Sequence, residues 1–133
     1  GSQESIKEIK KLDELYIVTS RAEDLKCKTQ EWLDIYFPRM FSKLLFCNTF
    51  SNNELKQTSK RQLCAENGIL LLLEDHYDYA VEVSKEIPVI LFDKPWNSNK
   101  QNLDNIIRVY NWNQAVAAAK HLYRKKINPS FQF

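Results

Sequence analysis

Glycine is the residue that this sequence lacks most. The 133 residues contain two glycines, against roughly nine at average usage. Gly1 begins a Gly-Ser pair typical of a cleaved tag, so Gly68 is the one glycine in the rest of the chain. Walker A loops, GxGxxG dinucleotide fingerprints and GxSxG nucleophile elbows all need several glycines close together. The sequence therefore excludes all three.

Cysteine, net charge and long apolar runs are also scarce. The three cysteines are Cys27, Cys47 and Cys64. Their wide spacing disfavours a disulfide framework or a four-cysteine zinc site and favours a reducing compartment. A net charge of +2 is too small to indicate a nucleic-acid footprint. The longest apolar run, residues 69–73, is far shorter than the roughly 18 residues of a membrane span. We therefore predict an intracellular protein, cytoplasmic or nuclear, with no membrane contact.

Helical and strand patterns alternate along a chain whose length fits one domain. Helices are predicted at residues 4–12, 22–37, 59–67, 76–85 and 111–125, and strands at 15–19, 43–47, 69–73, 88–92 and 106–110. Residues 48–56 and 93–104 are predicted as polar loops. The continuous apolar run at 69–73 predicts a strand buried on both faces. This order indicates a three-layer α/β/α sandwich with a mainly parallel sheet.

Local signals support the element boundaries. Ser59 is typical of a helix N-cap, and Gln62 follows at the spacing of a capping box. Gly68 suits the left-handed position after that helix. Pro38 disfavours continuation of the helix at 22–37, and Asn111 or Asn113 is predicted to cap the last helix. Cys64 lies inside a helix without a nearby histidine, so we interpret it as a packing residue.

In parallel α/β sheets the functional residues follow the carboxyl ends of the strands. That rule selects Thr19, Ser20, Arg21, Asn48, Thr49, Glu74, Asp75, His76, Asp93 and Lys94. The hydroxyls of Thr19 and Ser20 could bind an anion in front of a helix N-terminus. Alternatively, they cap the helix at 22–37.

The acidic pair and Lys60 also leave two interpretations open. Glu74 and Asp75 could bind Mg²⁺, which takes oxygen ligands, or Asp75 could cap the next helix, with Asp78 in an acidic first turn. Lys60 could neutralise a phosphate or carboxylate, or be an ordinary surface charge.

A basic cluster, Arg124–Lys126, stands near Trp112 and Tyr123. Stacked bases and paired phosphates would explain it as a nucleic-acid site. Cations at a helix C-terminus need no ligand, however, because they complement the helix dipole. We favour the second interpretation, so nucleic acid is an unlikely partner.

Four segments, taken in order, resemble a known family. They are YIVTSR at 16–21, TSKRQLC at 58–64, ILLLLEDHYDYA at 69–80 and VILFDKPWN at 89–97. Together they resemble the haloacid dehalogenase superfamily, and within it the 5′(3′)-deoxyribonucleotidase-like phosphatases, for which ILFDKPWN followed by RVYNW is distinctive. The resemblance covers about residues 5–120 and implies that superfamily's Rossmann-like core.

The resemblance implies roles for several candidates. Thr19 matches the hydroxyl residue that binds the phosphoryl group, with Ser20 and Arg21 beside it. Lys60 matches the lysine that steadies the phosphoryl charge. Asp75, with Glu74 beside it, matches the acidic motif that binds Mg²⁺, although His76 sits where a small residue is common.

The sequence departs from the family at motif one. No DxD occurs, and Asp13 stands in a different pattern before the strand at 15–19. The cap insertion that follows motif one is missing as well. Covalent phosphoryl transfer needs a carboxylate nucleophile and a group that handles the proton. We therefore predict the carboxyl-terminal part of a 5′-nucleotidase-type phosphohydrolase of phosphate monoesters, inactive as given, with Mg²⁺ as its cofactor only if the missing motif is supplied.

The domain prediction follows from this deficit. Residues 1–2 are a tag remnant, 3–125 a single α/β domain without its first strand, and 126–133 a tail. By the family's topology the missing strand lies between those at 15–19 and 69–73, which must otherwise pair directly because unpaired buried backbone is costly. A second copy of the chain or a separate N-terminal segment could supply it.

An alternative function is a non-catalytic module for binding or assembly. The absent motif favours it, and aromatic residues are enriched at interfaces. The aromatic residues that could form such a surface are Tyr77, Tyr79, Trp96 and Trp112.

Overall fold

The computed structural model describes residues 1–51, 54–101 and 103–127. The helices are α1 (Ser2–Lys10), α2 (Lys26–Tyr36), α3 (Lys60–Glu66), α4 (Tyr77–Ser84) and α5 (Trp112–Ile127). The strands are β1 (Tyr16–Ala22), β2 (Lys43–Ser51), β3 (Glu54–Gln57), β4 (Leu72–Glu74), β5 (Val89–Phe92) and β6 (Ile106–Val109). Within these residues no helix has the length and apolar character to cross a membrane.

The strands form two sheets rather than one. In the first sheet β1 pairs with β2 in parallel, and β2 pairs with β3 antiparallel. In the second sheet β4, β5 and β6 are parallel throughout. In the described part of the chain β1 and β4 are not hydrogen-bonded to each other, so each is the edge strand of its own sheet.

Three layers meet at β5. Ile90 packs on one side with α1 and α5, in a core that includes Ile9 and Ala119. Val89 and Leu91 pack on the other side with α3 and α4, because successive strand side chains point to opposite faces. The predicted three-layer sandwich with a mainly parallel sheet is therefore confirmed.

Most of the predicted end signals are confirmed. The Ser59 Oγ accepts from the Gln62 amide at 3.0 Å at the start of α3, and Gly68 takes a φ of 64° after it. Asn111 Oδ1 accepts from the Gln114 amide at 2.8 Å at the start of α5. The Gln62 side chain donates to Glu66 and not back toward Ser59, so only one of the two hydrogen bonds of a capping box forms. Residues 128–133 of the predicted tail lie outside the described residues.

Two element boundaries were predicted wrongly. Residues 48–51 and 54–56, predicted within a loop, lie in strands, since β2 runs to Ser51 and β3 pairs with it; residues 52 and 53 lie outside the described residues. All four residues of β3 are exposed, and an edge strand in contact with solvent needs no apolar pattern. The helix predicted at 22–37 begins at Lys26, because β1 extends to Ala22 and a 3₁₀ turn (Glu23–Leu25) follows.

The apolar run at 69–73 is also not the doubly buried strand that its pattern predicts. Only Leu72 and Leu73 of this run belong to β4, and Leu70 is 37% exposed. The run pairs with β5 on one side, and no described strand pairs with it on the other. Its apolar side chains therefore line an open space.

Candidate active site

An apolar cavity of about 360 Å³ separates the edges of the two sheets. Its lining includes Ile17 and Val18 of β1, Leu72 and Leu73 of β4, and Ile9 and Ala119 from the helices beneath. Both flanking strands end in candidate site residues. The cavity therefore lies beside the carboxyl-end residues that the sequence selects.

Thr19, Ser20 and Arg21 lie inside β1, at an irregularity in its pairing with β2. Thr19 Oγ1 accepts from the Arg21 amide at 3.2 Å, and Asn48 Nδ2 donates to the Ser20 carbonyl. The interpretation that these hydroxyls cap the following helix is wrong, because the N-cap of α2 is Leu25 and no side chain bonds there. Among the described residues no acceptor takes the Thr19 hydroxyl hydrogen.

Lys60 forms a buried ion pair with Glu74. Its Nζ lies 2.8 Å from Glu74 Oε2, and the two side chains are 10% and 8% exposed. The same ammonium lies 4.5 Å from the centroid of the Tyr79 ring, a favourable cation–π arrangement. The interpretation of Lys60 as a surface charge is therefore wrong.

The two acidic residues have different environments. Glu74 is buried, and its Oε1 accepts from the amides of Asp75 and His76, each at 3.1 Å. Asp75 is exposed, and no described residue hydrogen-bonds to its carboxylate. Asp75 does not cap α4, because the N-cap is His76 and no side chain bonds there.

Sequence reasoning missed the residue that joins this region together, Asn97. It is fully buried, and its Nδ2 donates to the Asp75 carbonyl at 2.7 Å. Its Oδ1 accepts from Arg108 at 2.8 Å, and Arg108 also pairs with Asp93 at 2.8 Å. Asn97 closes the DKPWN segment, so its place in that motif was the signal available.

The structure brings some candidates together and separates others. Lys60, Glu74 and Asp75 meet at the end of β4, and α3 contacts both strands of the first sheet's parallel pair, β1 and β2. Trp96 hydrogen-bonds to the Asp75 carbonyl, whereas Trp112, the first residue of α5, packs on Phe92. Trp112 packs against the core on the Ile90 face of β5 and Tyr77 against the core on the opposite face, so the four aromatic residues proposed as one surface are split between layers.

The basic cluster and the buried cysteines are explained by their places in the fold. Arg124–Lys126 form the last turn of α5, as the helix-dipole interpretation expects. Burial raises the pKa of the Cys64 thiol to about 11 and also raises the pKa of Cys47. Cys64 is 2% exposed, which confirms it as a packing residue. Within the described ranges no group of three or more His, Cys, Asp or Glu could hold a metal ion.

Comparison with known proteins shows sequence similarity to proteins named as nucleotidases. The chain is 31% identical over 115 residues to a protein of Clostridium acetobutylicum named nucleotidase, an alignment that covers 84% of this chain and 53% of the relative. It is 34% identical over 118 residues to a 5′(3′)-deoxyribonucleotidase of Bacillus subtilis, covering 86% and 57%, with the same values for a phage SPbeta protein of that name. The chain thus spans about half the length of these relatives. No family model and no solved structure matches it. The resemblance inferred from the motifs is confirmed.

Proposed function

We propose that this chain, a relative of nucleotidases, is part of a Mg²⁺-dependent phosphohydrolase that acts on phosphate monoesters of nucleotides. One observation carries the proposal. The Lys60 ammonium and the Glu74–Asp75 pair meet at the carboxyl end of β4, the position where parallel α/β sheets bind ligands. An intracellular location, cytoplasmic or nuclear, is part of the proposal and agrees with the free cysteines of the chain.

In this proposal Thr19 and Lys60 bind the phosphoryl group. The Thr19 hydroxyl donates to a phosphoryl oxygen, with Ser20 and Arg21 beside it. The Lys60 ammonium stabilises the charge that develops on the group, a contribution that grows where water is excluded. Glu74 fixes that ammonium, since the ion pair has a separation of 2.8 Å and both side chains are largely buried.

The residues at the end of β4 fit a magnesium ion. The Asp75 carboxylate is exposed and has no described hydrogen-bond partner, so both oxygens are available. Mg²⁺ commonly uses one or two protein carboxylates and completes its shell with water and phosphate oxygens. Asp75 would be the direct ligand, while Glu74 orients the Asp75 amide. When bound, the ion would neutralise negative charge on the phosphoryl group.

In this proposal the nucleophile comes from outside these 133 residues. We propose that an extended apolar segment, carrying a carboxylate at its end, fills the cavity between β1 and β4 and completes one sheet. Both edges lack a partner in the described residues, the lining is largely apolar, and the relatives are nearly twice as long as the matched region. The chain by itself would then be inactive.

A phosphatase assay with Mg²⁺ and nucleoside monophosphates tests the proposal. We expect no turnover from the 133-residue chain and turnover once it is expressed with the upstream sequence of its gene. Asp75→Asn should reduce kcat roughly 100-fold or more in the active form, since it removes the proposed metal ligand and with it several kcal/mol of charge stabilisation. Asp78→Asn, an exposed acid three residues on, is the matched control and should retain activity. Lack of activity in both forms would refute the proposed function.

The cavity also supports the alternative of a non-catalytic assembly module. Sedimentation of the 133-residue chain distinguishes a second copy of the chain from an added segment as the occupant of the cavity, because a second copy produces a dimer. A stable dimer that blocks the added segment and never hydrolyses phosphate would favour the assembly role.

A further inference from the structure

The main chain of Asp75 is held from both sides while its carboxylate is not. Its amide donates to Glu74 Oε1 at 3.1 Å. Its carbonyl accepts from Trp96 Nε1 at 2.9 Å and from Asn97 Nδ2 at 2.7 Å. No described residue bonds to the carboxylate. An exposed acidic residue thus has a fixed backbone and a free functional group.

Asn97 is itself held in one orientation. Its Nδ2 donates to the carbonyls of Asp75 and Phe92, and its Oδ1 accepts from the Lys94 amide and Arg108 Nη1. An asparagine side chain offers two donor hydrogens and two acceptor sites, so its capacity is filled. The loop after β5 is therefore tied to the ends of both β4 and β6.

The network does more than satisfy buried groups. Trp96 is 59% exposed, so its indole N–H could bond to water at little cost, yet it bonds to the Asp75 carbonyl. Hydrogen-bond partners that orient metal-ligating side chains typically change metal affinity by about 10- to 100-fold when removed, and here the bonds orient the ligand through its main chain. We propose that Trp96 and Asn97 are positioning residues that hold Asp75 in place for a divalent cation. This inference rests on the function proposed above.

Paramagnetic broadening by Mn²⁺ tests the inference on the 133-residue chain without an activity assay. Mn²⁺ favours the same oxygen ligands as Mg²⁺, and it broadens nearby amide NMR signals even when binding is weak. In the unaltered chain we expect selective broadening of the Asp75 and His76 amides at low Mn²⁺. Trp96→Phe removes one donor and keeps an aromatic ring, and it should require about 10-fold more Mn²⁺ for equal broadening.

Two further variants sharpen the result. Asn97→Asp keeps an acceptor for Arg108 but loses the donors to Asp75 and Phe92, so we expect a shift at least as large. Trp32→Phe is the matched control, because Trp32 on α2 is similarly exposed at 52% and should bind Mn²⁺ like the unaltered chain. If Asn97→Asp fails to fold, Trp96→Phe still decides.

The outcomes separate this inference from the proposed function. If Asp75→Asn abolishes the broadening but Trp96→Phe and Asn97→Asp leave it unchanged, the positioning role is refuted and the metal role of Asp75 stands. If Asp75→Asn leaves the broadening unchanged, or the unaltered chain shows none at these amides, the metal assignment fails and this inference fails with it.

Discussion

The two sheets of this protein bury their strands to very different extents. In the second sheet Val89, Ile90 and Leu91 of β5 are completely buried between two helical layers. In the first sheet residues 16–19 of β1 are only half-buried, and β3 is exposed throughout. The central strand of the second sheet is thus enclosed on both faces, whereas β1 and β4 each expose an edge toward the cavity.

The contrast teaches that the centre of the second sheet is complete, whereas the region where the two halves of the fold face each other across the cavity is not. A parallel sheet is normally covered on both faces and paired on both sides of its central strands. β5 meets those conditions, and the strands that border the cavity do not. The Lys60–Glu74 pair joins the halves, since Lys60 begins α3, which contacts β1 and β2, and Glu74 ends β4.

Breaking the Lys60–Glu74 ion pair should produce the largest loss of stability. Lys60→Met leaves the buried Glu74 carboxylate without its cation, and breaking such a pair costs about 3–5 kcal/mol. The free energy of unfolding from urea titration measures the loss. The double variant Lys60→Met/Glu74→Gln should recover part of it.

Arg61, the next residue along the chain, provides the control for Lys60→Met. Arg61 pairs with Glu82 and Glu86 at the surface, where ion pairs contribute little. Arg61→Met should therefore be far milder than Lys60→Met. Equal losses would mean that Lys60 behaves as a surface charge and that the halves are not joined there.

A pair of isoleucines compares the two sheets directly. Ile90→Ala removes a side chain with 0% exposure, and truncations of this kind cost about 2–5 kcal/mol. Ile17→Ala should cost clearly less, because Ile17 is half-buried and already borders the cavity. Urea midpoints measure both. An Ile17→Ala loss as large as that of Ile90→Ala would show that β1 is as well packed as β5.

Cys64 gives a smaller, pH-dependent effect. Burial raises the pKa of its thiol from 9.0 to about 11, so the folded state keeps a proton that the unfolded state loses. The associated stability is complete below pH 9 and is lost as the pH rises to 11, by about 2 kcal/mol. Cys64→Ala should flatten the decline of unfolding free energy across that range. Cys27→Ala is the control, because Cys27 is exposed, and it should leave the slope unchanged.

Local rules predicted the parts of the fold that local chemistry determines. Ser59, Gly68 and Asn111 are end signals whose partners lie within a few residues, so the sequence reveals them. The resemblance likewise selected Lys60 and the acidic pair, which the structure brings into contact. Each of these depends on a short spacing or on a motif.

The features that prediction missed depend on distant partners. The strand β3 is exposed throughout, Leu55 included, and only its pairing with β2 makes it a strand. Asn97 is decisive because Asp75 and Arg108, remote in sequence, approach it. The apolar composition of the run at 69–73 predicts burial on both faces, but a strand's neighbours are set by residues distant in sequence, and among the described strands β4 pairs with β5 alone.

The open cavity has a consequence for how the chain behaves in solution. Two strand edges with unused hydrogen-bonding groups flank an apolar surface, and such edges are templates for pairing with other molecules. The segment from Ile69 to Leu73 contains no charge and no proline, the composition of aggregation-prone stretches. We therefore expect the 133-residue chain to self-associate as its concentration rises, and a strand added at the cavity would protect it from self-association before it supplied any chemistry.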